Sequence, residues 1–227
     1  MAMLPLVALF ALSACTQTLV ERAIEARGGS MASYRKEVDA QVALGIPGEW
    51  SWEVAYRVPE SFRWTLYTFG EEQRLLYDGT HTTHQLGSAT LPPSTADEGV
   101  RSQAHWFAVT SLDVLEGPGV TWAEMPASGL PPGVARGLSA RFDGHPGAFD
   151  LFFDERGLLR RARGPVSMQP VGAGWLEATF SDYREVDGYR LPFSGEYRLD
   201  DQPLMRETVR HWTPNDPSID ATYFSFQ

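Results

Sequence analysis

Few residues in this chain combine the type and the spacing that chemistry needs. His81 and His84, in the run His-Thr-Thr-His, come nearest to a metal-ligand pair. Residues three apart on a strand point to opposite faces, so the two imidazoles diverge unless the strand bends. His105, His145 and His211 stand singly, with no second ligand at useful spacing. Asp150, Asp154 and Glu155 flank a turn, where carboxylates are far more often solvated than poised for acid–base work. Ser167 sits in no nucleophile-elbow context, and the glycine-rich stretches follow no phosphate-loop pattern. Arg160, Arg161 and Arg163 form the densest basic run, and a strand places Arg161 beside Arg163 on a face salt-paired to acidic neighbours. The expectation is no catalytic residue, no metal, no cofactor and no enzyme.

What remains is recognition by shape and apolarity, and the strongest signal for it lies in residues 49–69. Trp50, Trp52, Val54 and Tyr56 share one parity; after Val58-Pro59-Glu60-Ser61, Phe62, Trp64 and Leu66 resume it. A period of two with one apolar face marks an antiparallel sheet covered on one side. The aromatic bulk is unusual for one hairpin, and it has two readings. Either these seven side chains line an apolar container, or they fill the inside of a broad curved sheet.

Length and charge narrow the classes. The chain has 227 residues and a formal charge of −10, which suits one sizeable β-rich domain and argues against a nucleic-acid surface. No apolar stretch beyond residue 20 is long enough to span a bilayer as a helix. Residues 1–14 are almost wholly apolar and run into Cys15, the one cysteine. This segment has the length of a signal-peptide core. Leu12-Ser13-Ala14-Cys15 resembles the bacterial lipobox, whose cysteine becomes the acylated first residue after cleavage. The resemblance implies a signal peptide over 1–14, a single domain over 15–227, and an anchor on Cys15 carrying acyl chains such as palmitate. Thr16 stands where an aspartate would resemble the inner-membrane retention signal, so the implied address is the outer membrane, with the domain facing the periplasm.

The elements follow the same periodic logic. Leu19, Val20, Ala23 and Ile24 form one stripe of a helix over 18–27, stopped by Gly28-Gly29. A strand over 34–44 turns through Gly45-Ile46-Pro47-Gly48 into the aromatic hairpin. Ile46 is the bulky apolar residue at that tip, a candidate for membrane or partner contact. Strands over 73–77 and 80–86 flank Asp78-Gly79, a strong hairpin signal. Residues 87–99 read as loop and 102–115 as a largely buried second helix. Residues 116–137 read as a Gly/Pro-rich excursion with one strand near 120–124. Strands over 147–153, 158–163, 175–183, 189–199 and 205–212 follow, then a terminal segment over 219–226. Two helices and about ten strands joined by tight turns make a meander, not the βαβ alternation of a parallel sheet.

Four stretches in order resemble the outer-membrane lipoprotein-sorting family, which includes a periplasmic lipoprotein carrier and its outer-membrane acceptor. They are the helix end Ala23-Ile24-Glu25-Ala26-Arg27-Gly28-Gly29 and the junction from Tyr56-Arg57-Val58-Pro59 to Phe62-Arg63-Trp64. The Asp78-Gly79 hairpin and the run Asp182-Tyr183-Arg184-Glu185-Val186-Asp187-Gly188 complete the set. The resemblance implies an unclosed antiparallel half-barrel wrapped around an apolar cavity, with two helices across its concave side. It implies a lipid, acyl chain or acylated protein as ligand, a periplasmic carrier protein as a further partner, and a role in lipoprotein or lipid transfer. In the carrier an arginine directly before the junction proline works the mouth. Here Val58 holds that position and Arg57 stands one residue earlier, a shift that reverses its face. The alternative is a non-catalytic structural or interaction lipoprotein of the envelope with a filled core.

Overall fold

A computed structural model describes residues 17–68, 71–95, 98–168 and 171–224. The segment 1–14, expected to be a signal peptide, and Cys15 lie outside the described residues, as do Phe69 and Phe226.

Helix α1 (Leu19–Arg27) is framed by local chemistry. Thr18 accepts from the Glu21 amide at 3.1 Å while Glu21 accepts from the Thr18 amide at 2.6 Å, a reciprocal capping box. Gly28 ends the helix at φ 114°, and a Cβ there would lie 2.2 Å from the Gly188 carbonyl oxygen. Glycine is therefore required twice, for the left-handed turn and for the close approach.

The strands are β1 (Ser33–Val42), β2 (Gly48–Arg57), β3 (Ser61–Thr68), β4 (Glu71–Tyr77), β5 (His81–Leu86), β6 (Ala89–Thr90) and β7 (Ser94–Thr95). Helix α2 (Glu98–Ser111) and a 3-10 turn (Asp113–Glu116) interrupt them. Then come β8 (Val120–Glu124), β9 (Arg136–Phe142), β10 (Phe149–Phe153), β11 (Leu159–Met168), β12 (Gly172–Val186), β13 (Tyr189–Leu199) and β14 (Gln202–Pro214). All belong to one antiparallel sheet in the order β6-β5-β4-β3-β2-β1-β14-β13-β12-β11-β10-β9-β8, with β7 on β5. Two meanders meet at the β1–β14 seam, and the ends β6 and β8 do not pair. The sheet is an unclosed half-barrel.

Its concave face is the core. Register places Trp52 opposite Leu66, Val54 opposite Trp64 and Tyr56 opposite Phe62, so the hairpin's apolar parity points inward as a block. Helix α2 crosses this face, with Trp106 against Phe149 at 6.4 Å and Phe107 against Phe62 at 5.3 Å. It begins at Glu98, inside what the sequence presents as loop, and stops at Ser111; Leu112, at φ 70°, breaks it from the 3-10 turn. Strand β9 lies in a stretch that the sequence reading leaves unassigned, although Leu138, Ala140 and Phe142 alternate there and are buried.

The convex face carries a second, small core. Ala55 has outward parity yet is fully buried, because Ile219 and Phe224 of the terminal segment pack over it. The described part of that segment includes a 3-10 turn (Ala221–Phe224).

Candidate functional site beneath the two helices

The described residues enclose a cavity of about 80 Å³ where α1 and α2 meet the sheet. Its wall comes from α1 (Ala23, Arg27), α2 (Trp106, Phe107, Thr110, Ser111), β1 (Tyr34, Lys36) and the strands β12 to β14 (Phe180, Tyr197, Glu207, Trp212). The wall is mostly apolar, with one polar group of note. Lys36 and Glu207, 8% and 6% exposed, form an ion pair on the concave face. Lys36 Nζ donates to Glu207 Oε1 at 3.0 Å and to Oε2 at 3.3 Å, and the Tyr197 hydroxyl donates to Oε1 at 2.8 Å. Nζ also stands 5.6 Å from the Trp212 ring centre. Burial first, then the Glu207 charge, pushes the Tyr34 and Tyr197 phenols up, so both stay protonated donors.

The lid is tied down at one end. Arg27, at the last turn of α1, donates to the Ser111 carbonyl, to the Gly29 carbonyl at 2.8 Å and to Asp113 Oδ2 at 2.8 Å. Asp113 Oδ1 accepts from Ser30 at 2.8 Å and from the Met31 amide at 2.9 Å. One arginine thus joins the end of α1 to the end of α2.

None of the hairpin residues singled out from the sequence lines this cavity. Trp52, Val54, Tyr56 and Phe62 are closed into the core, while Trp50, Trp64 and Leu66 are half-buried against it. Their aromatic bulk is taken up by one another and by α2: Trp52 meets Trp64 edge-on at 6.1 Å, and Phe62 meets Tyr77 at 5.7 Å and Phe107. Arg57 lies on the convex face, its guanidinium 5.1 Å from the Phe224 ring, so it takes no part in the concave mouth. Ile46 is 50% exposed in the β1–β2 turn, where its carbonyl accepts from Trp50 Nε1 at 3.1 Å. His81 sits 3.8 Å from Asp78, and His84 lies apart from it further along β5. Arg163 pairs with Asp150 at 3.0 Å and Arg161 with Glu177. Among the described residues no group of three or more His, Cys, Asp or Glu is placed to hold a metal.

The groups that sequence reasoning missed are Lys36, Glu207 and their neighbours. The signal was present: Lys36 falls in the inward register of Tyr34, Val38 and Ala40, and Glu207 in that of Met205 and Val209. A charge at an inward position of a half-barrel is expensive unless partnered, and partners on distant strands are what a single sequence hides.

Neither a protein-family model nor a curated protein sequence matches the chain. Solved structures do match its fold. A LolA superfamily protein from Nitrosomonas europaea superposes with a TM-score of 0.61 at 10% identity, covering 92% of this chain and 96% of that one. A DUF1329 family protein from Desulfovibrio piger superposes with a TM-score of 0.57 at 9% identity, covering 91% and 95%. The likeness is one of fold: this chain and both of those structures share the unclosed half-barrel architecture.

Proposed function

We propose that the protein binds a lipid, an acyl chain or an acylated protein on the concave face of its half-barrel, as a step in lipoprotein or lipid transfer. We further propose that Cys15 carries an acyl anchor holding the domain at the bacterial outer membrane, facing the periplasm, where a periplasmic carrier protein is its partner. The observation that carries the binding reading is the mostly apolar cavity between the two helices and the inner wall of an open sheet. Pockets for such ligands are concave and apolar with a few placed polar groups, but they typically hold roughly 300–1,000 Å³. A cavity of about 80 Å³ is the closed form of such a site. Admission of a chain requires α2 to lift, which breaks the Phe107–Phe62 and Trp106–Phe149 contacts and bares Phe62 on the hairpin. The hairpin wall then becomes ligand-lining.

The small cavity also favours a second reading, a structural or interaction lipoprotein whose core is simply filled. Titration with a lipidated peptide separates the two. Binding under the helices shifts the tryptophan emission with saturation, because Trp106 and Trp212 line the cavity; a flat response supports the filled core. For the anchor, Cys15→Ser should release the protein from the membrane fraction, and unchanged fractionation and processing would count against it.

A further inference from the structure

Most of the cavity wall is apolar, which makes the Lys36–Glu207 pair the feature needing an explanation. A buried ion pair gains little stability over apolar residues of the same size, since desolvating both charges offsets their attraction. It is not needed for register either, because the β1–β14 ladder already fixes that seam. What the pair leaves behind is a donor. Lys36 has three protons, and its two contacts to Glu207 leave one for the cavity that it lines.

The charge balance says which acceptor that donor suits. Lys36 is already neutralised by Glu207, and Arg27 by Asp113. Among the described residues Arg190 is the one lining cation with no carboxylate partner, and it is exposed, where the cavity meets solvent. A carboxylate pushed inward would lose its water beside Glu207 with no spare cation to receive it. A neutral carbonyl meets no such penalty. We infer that this site, given that the half-barrel binds acyl ligands, takes the ester or amide carbonyl of a neutral acyl group and discriminates against the free fatty acid. The carbonyl oxygen accepts from Lys36, and the adjoining carbons lie among Met31, Trp106, Phe107, Leu112 and Phe180. The closed volume has room for roughly five to eight waters at about 10–15 Å³ each, enough for a carbonyl and a few carbons.

The test uses the full chain and three probes of equal length: methyl decanoate, the matching decyl ether without the carbonyl, and decanoate. Binding is read from tryptophan emission near neutral pH. The ester should bind about ten-fold tighter than the ether, the effect of one hydrogen bond to a charged group. An apolar pocket alone would also disfavour decanoate, so the deciding comparison is Lys36→Met combined with Glu207→Met. That double variant removes both charges together and should melt within a few degrees of the parent. In it the ester's advantage over the ether should fall below about three-fold. An ester and ether that bind equally to the parent, or an advantage that survives the double variant, overturns the assignment while leaving acyl binding intact. Failure of all three probes to bind overturns both.

Discussion

Two polar residues, Arg27 buried and His105 half-buried, carry most of the consequence at the scale of single side chains. Arg27 is the tie between the helices, and its loss leaves Asp113, whose side chain is 6% exposed, without its cation and takes a donor from two carbonyls. Arg27→Met should therefore destabilise by about 3 kcal/mol, read as a lower urea midpoint, since breaking one partner of a buried pair costs more than deleting both. It should also raise the rate at which acyl probes enter, because the latch is gone; an unchanged midpoint would mean that the latch contributes nothing. His105 makes a pH prediction. Burial, then the facing His145 and Arg101, pushes its pKa down to about 4, from 6.5. The histidine stacks on Phe142 at 4.4 Å and meets His145 edge-on at 5.1 Å. A base whose folded pKa is depressed stays neutral while the unfolded chain takes up the proton, so stability falls as pH drops from about 6.5 toward 4. His105→Phe should flatten the stability curve across that window and leave it unchanged above pH 7; an unaltered slope contradicts the assignment.

Among the elements, the edges of the sheet were harder to read than its centre. The aromatic hairpin was legible because strict alternation over two strands leaves no other period, and the pairing Trp52–Leu66, Val54–Trp64 follows from it. Helix α1 was legible because the stripe Leu19, Val20, Ala23 and Ile24 runs up to the Gly28-Gly29 stop; the Thr18–Glu21 capping box is what the structure adds at its start. Strand β11 was not. Gly164-Pro165 reads as a stop, yet the strand continues to Met168. Pairing with β10 ends at Asp150–Arg163, so from Gly164 onward that side of β11 has no strand partner and Pro165 removes no ladder hydrogen bond there. Gly164 is needed for another reason: a Cβ would lie 2.3 Å from the Phe149 ring. Gly164→Ala should thus cost about 1–3 kcal/mol by overpacking, measured by thermal or urea unfolding, although alanine is ordinarily the better strand residue. A neutral or stabilising result would show that Phe149 has room to move. The same contacts explain why the site itself was illegible. Which inner residues line open space depends on where α2 lands, and that is decided by Trp106 on Phe149 and Phe107 on Phe62, across strands far apart in sequence.

For the whole molecule, the architecture separates two tasks. The β1–β14 seam and the convex cluster around Ala55 hold the half-barrel rigid, while the helices lie on its concave side through few directional ties. A rigid trough under a lightly latched lid suits a protein that must take up and release a bulky apolar ligand. An unclosed sheet also supplies the breadth that a closed barrel of the same strands would spend on its own packing. The measurement that meets this account most directly is mass spectrometry of the protein purified gently from its own cells and kept native. The account predicts non-covalent acyl-bearing material at close to one molecule per chain, lost on organic extraction and diminished by Arg27→Met. A protein that is ligand-free when extracted gently, and that takes up no acyl ester when one is supplied in excess, would contradict it.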